Sequence, residues 1–420
     1  MSRSPGIFLG TYDVLVKGKG AEVKTQAHFF YNHQGINPIW IEAPPAAQKW
    51  PAGTAVEVVA PGVLTAFPAS VGGICLTMHG GVASACLPIS PSMSPLDSVP
   101  ADNLQTVSFA VLDCPFAQSV RRTPEIVLRC AQFDATLTDP SDSHRQLAAA
   151  LGSTPHALNQ TCTLRERSGQ SFSSGTAVPA LNTLHDVLSF AAGRWIGFAL
   201  VEGRDESNRR VWFRLGTTRI NEPSYSPCWF DESHPEWLSG LCDGLLAVQS
   251  DEQATDVMQR ALYWYTRSNT RGGGIDGALI LTQCALELLS WFVIVRRCRA
   301  LSECGYGQLA DASERMRLML SLLGIPLELP RSLPRLHALK KEWADVPEAV
   351  VRARNYLVHP TQSRSGKLTQ KKQFPWEELW LAGQWILELV ILRLLGYGGE
   401  YQNRTRIREF NRVETVPWAR

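Results

Sequence analysis

The residues best equipped for chemistry lie in one run, Val350-Val351-Arg352-Ala353-Arg354-Asn355-Tyr356-Leu357-Val358-His359-Pro360. Arg354, Asn355 and His359 fall within about one and a half helical turns. Histidine exchanges protons near neutral pH. Arginine stays charged, and its planar fork matches phosphate oxygens. An amide can hold the imidazole or a hydroxyl in place. Together these groups suit metal-free cleavage of an RNA phosphodiester through attack by its own 2′-OH. On a straight helix Asn355 and His359 are neighbours, and Arg352, seven residues before His359, shares their face. Arg354 points away from His359 on such a helix, so plain geometry favours Arg352 as the partner. An ordinary helix end can carry the same residue types. Arg331 precedes His337 at a similar spacing in a proline-broken segment.

The element that carries this run is predicted to be a capped helix. Asp345 is the cap, Pro347 sits in the first turn, and Glu348 stands at capping-box spacing from Asp345. Val346, Ala349, Val350, Ala353 and Leu357 form one apolar stripe. Pro360 ends the helix, because it lacks a donor and disfavours the α region at His359. Residues 275–295 are apolar almost all round, which marks a central bundle helix. That run is also long enough to cross a bilayer, but Asp276, Gln283 and Glu287 argue against a span. Gln283 and Glu287 are four apart on one face. A buried Glu287 needs a donor or cation, for which a motif arginine or His359 is the candidate; an exposed helix edge is the alternative. Residues 253–269, with Ala261, Leu262, Trp264 and Tyr265 near the packing face, read as a further helix, as do 308–323, 332–343 and 376–395, the last stopping at Gly396. Residues 361–372 form a basic loop containing Arg364, Lys367, Lys371 and Lys372. These charges could meet a phosphate backbone beside the site or form an ordinary solvated loop. Residues 397–420 read as a basic tail with little periodicity.

The first half is different. Residues 6–16, 23–31, 38–41, 54–63, 73–78, 105–112 and 125–138 are short β-branched and aromatic runs bounded by turn formers. Residues 88–100 read as an exposed serine- and proline-rich loop. A short helix is expected at 144–152 and a longer one at 181–193, strands at 196–201 and 210–215, and a helix at 237–246. The expected fold class is α+β and multidomain: a sandwich- or barrel-like β-rich domain over residues 1–247, then an all-α bundle over 248–420. A further split near 140 is the alternative. Gly72-Gly73 and Gly80-Gly81 fit no phosphate-loop pattern, and His28, His33 and His79 are separated by strands and glycines. This half therefore reads as a recognition surface.

Composition narrows the function classes. A formal charge of +2 gives no broad electrostatic footprint, so nucleic-acid contact must be local. The ten cysteines form no CxxC pair or Cys/His framework, which speaks against structural zinc and a disulfide scaffold. Residues 1–10 lack the apolar core of a signal peptide. The expectation is a cytoplasmic protein with no membrane partner, no metal and no cofactor.

Arg354-Asn355-Tyr356-Leu357-Val358-His359 resembles the Arg-Asn-x3-His motif of HEPN domains (higher eukaryote and prokaryote nucleotide-binding domains). Ala261-Leu262-Tyr263-Trp264-Tyr265, the helix over residues 283–291 and Leu395-Gly396-Tyr397 occur in the order associated with large HEPN proteins. Leu188-Ser189-Phe190-Ala191-Ala192-Gly193 resembles the domain preceding HEPN in ApeA-type anti-phage proteins. The resemblance implies a metal-independent endoribonuclease of abortive-infection defence, acting on RNA, with tRNA one candidate. It also implies a homodimer or higher oligomer through the HEPN domain, with a composite site, and a phage-derived trigger acting on the first domain. On that resemblance His359 is the general acid/base, Arg354 stabilises the phosphorane and Asn355 orients His359 or substrate. Arg352, Glu287 and Gln283 are supporting candidates. A non-catalytic nucleotide- or partner-binding HEPN module, and a purely structural protein, remain the alternatives.

Overall fold

The structure is a computed structural model. It describes residues 7–18, 20–31, 39–43, 50–52, 54–60, 64–71, 75–79, 82–91, 96–114, 125–140, 158–221, 227–238, 240–249, 251–309, 311–359, 374–407 and 412–419. Contacts divide the chain into two units. The first comprises Met1–Leu128, Gln132–His185 and Ile196–Pro223, and the second Arg129–Ala131, Asp186–Trp195 and Ser224–Arg420. Sheets dominate the amino-terminal half and helices the carboxy-terminal half, an α+β layout.

The first unit begins with a barrel. Strands β1 (Ile7–Gly18), β2 (Ala21–Tyr31), β3 (Ile39–Ala43), β4 (Ala55–Ala60), β5 (Leu64–Val71), β6 (Cys75–His79) and β7 (Val82–Pro91) run in the order β3-β2-β1-β4-β5-β7-β6. A further antiparallel pairing of β3 with β7 closes the sheet on itself. Closure gives β3 and β5 partners on both sides, and β6, paired with β7, is left as the outer strand. The period-two pattern sets the inside: Val14 and Val16 are buried while Asp13 and Lys17 are exposed. Ala27, Ile41, Val56, Val58 and Trp50 complete that core. The stretch expected as an exposed loop at 88–100 is therefore corrected in part. Pro88 and Pro91 lie in β7 opposite Glu42 and Ala69, and the tertiary pairing outweighs the turn-like composition.

A second antiparallel sheet follows. It is built from β8 (Leu96–Asp97), β9 (Thr106–Leu112), β10 (Ile126–Cys130), β11 (Phe133–Thr138), β12 (Leu158–Glu166), β13 (Gly197–Arg204) and β14 (Arg210–Thr217). Their order is β10-β11-β12-β9-β13-β14-β8. The single run expected over 125–138 is a hairpin, turned at Ala131 with φ 51°. Strand β12 lacks a full alternating pattern in sequence, because the polar Gln160 takes a buried position in line with Cys162 and Leu164. Arg214 donates to both carboxylate oxygens of Asp97, at 2.6 and 3.0 Å, and ties the short β8 to β14. Helix α1 (Ser174–Ala192) contributes His185, whose ring meets Phe198 of β13 edge-on. The helix expected at 144–152 lies outside the described residues.

The second unit is helical. It contains α2 (Leu241–Val248), α3 (Glu252–Asn269), α4 (Gly274–Trp291), α5 (Glu303–Gln308), α6 (Ala312–Leu323), α7 (Pro334–His337), α8 (Val346–Val358) and α9 (Trp376–Leu394). Residues 227–238 and helix α2, expected with the first half, belong to this unit. Helix α4 occupies the middle and touches α3, α6, α8 and α9. Gly274–Arg297 is long and apolar enough to cross a membrane, yet 61% of its most apolar window is buried inside the protein, as a bundle's central helix requires. Gly383 lets α9 approach closely: a Cβ there would stand 3.1 Å from Thr282 of α4 and 3.4 Å from Val350 of α8.

A fully buried ion pair crosses this bundle. Glu388 of α9 accepts from Arg404 Nε at 2.8 Å and Nη2 at 2.5 Å, and from Tyr265 Oη at 2.8 Å. Arg404 also donates to Asn269 Oδ1 and to the Pro227 carbonyl, at 2.9 and 2.8 Å. Burial, reinforced by the Glu388 charge, pushes the Tyr265 hydroxyl well above its usual range and the Cys228 thiol up to about 12. The region read as a basic tail is corrected here. Tyr401, Arg404, Thr405 and Val416 are buried, and β15 (Glu400–Gln402) pairs with β16 (Val413–Thr415), so this half is not purely helical. Arg404→Met should strand a buried carboxylate and cost about 3–5 kcal/mol of stability, measured by urea unfolding. The added change Glu388→Gln should recover part of that loss.

Candidate functional site at the end of helix α8

Helix α8 starts where the capping signal places it. Asp345 accepts from the Glu348 N–H at 2.9 Å, and the Glu348 carboxylate accepts from the Ala344 N–H at 3.0 Å. Arg317 of α6 grips the same Asp345 through Nε at 2.5 Å and Nη2 at 3.1 Å, which fixes the start of α8 against α6. Those bonds hold the Arg317 guanidinium even more firmly charged than usual. Val346, Ala349, Val350 and Ala353 are buried, so the remaining faces carry the polar residues.

At the other end the backbone leaves the helix. His359 has φ −119° and ψ 77°, while its N–H still reaches the Asn355 carbonyl at 3.0 Å. Arg354 Nη1 lies 3.3 Å from His359 Nε2 and donates to Asn355 Oδ1 at 3.2 Å. A guanidinium can only donate, so a hydrogen bond across this contact uses His359 Nε2 as its acceptor. An acceptor lone pair on a ring nitrogen is what a general base requires. Asn355 meets Arg354, so the amide positions the arginine. His359 is exposed, and Arg354 and Asn355 are half-buried.

The straight-helix geometry that favoured Arg352 does not describe this site. Arg352 Nε donates to Glu348 Oε1 at 2.9 Å, one turn back along the helix. Two features bring Arg354 to His359 instead: the non-helical backbone at His359 and the length of the arginine chain. His337, in the look-alike segment, directs Nδ1 to the Leu329 carbonyl at 3.1 Å, a structural bond.

On α4, Gln283 Nε2 donates to Glu287 Oε1 at 2.9 Å, so the half-buried carboxylate has an amide donor rather than a direct motif cation. Cys284, between them in sequence, reports what else is close. Burial raises its thiol pKa, the Glu287 charge raises it further, and the Arg354 charge opposes both. Glu287 and Arg354 therefore act on a common spot where α4 faces α8. Cys284 was not singled out from the sequence, although it stands three residues before Glu287, on the same helix face. Arg364, Lys367, Lys371 and Lys372 lie outside the described residues. So does His33, and nothing is described of the His28 and His79 side chains.

Comparison with known proteins places these elements together. Residues 251–415 match the YopA C-terminal domain. That match spans α3 to β16 and includes the whole α8 site and the Arg404–Glu388 pair. Residues 112–226 match the YopA central domain. The chain is 28% identical over 249 residues to the SPbeta prophage-derived uncharacterized protein YopA of Bacillus subtilis (strain 168), covering 59% of this chain and 55% of that relative. The match thus spans about half the relative's length. No solved structure matches the chain. Both family descriptions name YopA, and the HEPN and ApeA resemblance rests on the sequence motifs.

The local electrostatics yield a pH-dependent outcome. A raised pKa keeps the Cys284 thiol protonated through neutral pH, so its alkylation should lag that of the exposed Cys298 and Cys304 and increase as pH rises. Glu287→Gln should speed Cys284 alkylation at fixed pH and Arg354→Ala should slow it, both read by peptide mass spectrometry.

Proposed function

We propose that the end of α8 is the active site of a metal-independent endoribonuclease. The observation that carries this is the Arg354–His359 contact at 3.3 Å, with Asn355 holding the same guanidinium. The HEPN-like motif supports it by resemblance. In the proposed reaction His359 Nε2 takes the proton of the 2′-OH, and O2′ attacks the adjacent phosphorus. The 5′-oxygen leaves with a proton, giving a 2′,3′-cyclic phosphate and a 5′-OH end. Arg354, displaced from Nε2 by substrate, moves onto the phosphorane oxygens, where a fixed positive charge stabilises the transition state most. Asn355 limits how far it swings.

One histidine cannot easily serve as base and acid at once on opposite sides of phosphorus. A second protomer supplies the other in the proposed homodimer. Val358 and His359 are both exposed at the helix end, which is where a partner would have to reach. The prophage origin of the YopA relative supports a phage-associated role, which we take to be anti-phage defence. In that role the β-rich unit restrains the nuclease until it senses a phage-derived trigger.

Wild-type protein should cut RNA in EDTA, leaving 2′,3′-cyclic phosphate ends. His359→Ala should lower the rate by about 10²–10⁴-fold while thermal unfolding stays unchanged. Arg354→Lys should lose much of the rate and Arg352→Ala little. Equal cleavage by wild type and His359→Ala would show that the α8 end is not the active site, and a wild type that leaves RNA intact would favour a non-catalytic binding module. Phage challenge of cells expressing either form tests the defence role: only the wild type should protect.

A further inference from the structure

Helix α4 does not end as an ordinary helix. After Trp291 the chain widens into a π-helical turn, Phe292–Arg297. Segments of this kind are rare and are found disproportionately at functional sites. The turn and the residues after it place Arg296, Arg297 and Arg299 on the rim of a cleft of about 570 Å³. Clefts that hold small ligands span roughly 300–1,000 Å³. Arg299 adopts φ 50°, a conformation in which a non-glycine residue is strained.

The lining has two characters. Val248, Phe292 and Val295 supply an apolar wall. The three guanidiniums supply charge, and among the described residues none of them pairs with a carboxylate. Arg297 Nη1 donates to the Leu394 carbonyl at 3.1 Å, and its other donors are left for a ligand. Asp251 also lines the cleft, with its carboxylate engaged by the Ala254 N–H at 2.7 Å as the cap of α3. Three guanidiniums lining one cleft suit phosphate oxygens, since each offers a fork of paired donors. The cleft shares no residue with the α8 site.

We propose that this cleft binds a small phosphorylated ligand that carries an apolar or aromatic portion: phosphates on the arginines, the rest against Phe292 and its neighbours. Calorimetry on the full chain, with inorganic pyrophosphate and with ATP in the absence of metal, tests it. Pyrophosphate should bind and ATP should bind more tightly, because only ATP can use the apolar wall. Arg296→Ala and Arg299→Ala should each weaken both ligands at least tenfold, with thermal unfolding unchanged because both side chains are exposed. Arg260→Ala, on the exposed face of α3, should leave binding alone. The proposal is overturned if neither probe binds, or if the two variants bind as wild type does. It is equally overturned if a 20-nucleotide RNA binds through these arginines while ATP does not, which would make the cleft part of an RNA path.

Discussion

The helical unit depends on a single buried charge pair. Glu388 and Arg404 are both completely inaccessible, and taking two charges out of water costs several kcal/mol each unless every donor and acceptor finds a partner. Here they do. Tyr265 brings α3, Asn269 the end of that helix, and the Pro227 carbonyl a segment that precedes the bundle. Asn269 in turn donates to the carbonyls of Gly193 and Pro227. A few ångströms' error in any of these elements would strand a charge in apolar surroundings. The pair therefore specifies one arrangement of helices more sharply than apolar packing could, since leucine and valine tolerate small slides.

A second polar layer lies along the α4 seam. Gln384 of α9 donates to Ser268 of α3 and Thr282 of α4, at 2.7 and 2.8 Å. Gly383, the neighbouring residue, permits the close approach that makes those bonds possible. Because α4 is held on several sides, the face bearing Gln283, Cys284 and Glu287 is fixed relative to α8. The Arg317–Asp345 clamp then sets the start of α8 itself. The site at the far end of that helix sits on a rigid frame, and its geometry is decided by how the last residue leaves the helix.

That ending matters chemically. A histidine within a regular helix would follow the helix rotation and face Arg352. At the C-terminal cap, with φ −119°, it is free of that rule, and a long guanidinium from the adjacent face can reach it. The same contact directs the Arg354 guanidinium at Nε2 of the exposed imidazole. The π-helical turn after α4 shows a related principle: departures from regular helix place side chains where 3.6-residue periodicity cannot.

The sequence by itself determined the elements whose signals are local. Asp345, Pro347, Glu348 and Pro360 delimit α8 through capping and proline chemistry, and the all-round apolarity of α4 marks it as central. The β-rich first half and helical second half follow from hydrophobic period alone. Only the tertiary structure decided what depends on distant partners. Barrel closure through β3 and β7 joins strands separated by several others in the chain, and β7 carries prolines that read locally as a loop. Arg404 looks like part of a basic tail because nothing near it in sequence announces Glu388 or Tyr265. Which of Arg352 and Arg354 lies beside His359 was likewise beyond the reach of spacing, since one off-helix residue at His359 and the length of a flexible side chain outweigh the ideal 100° rotation per residue.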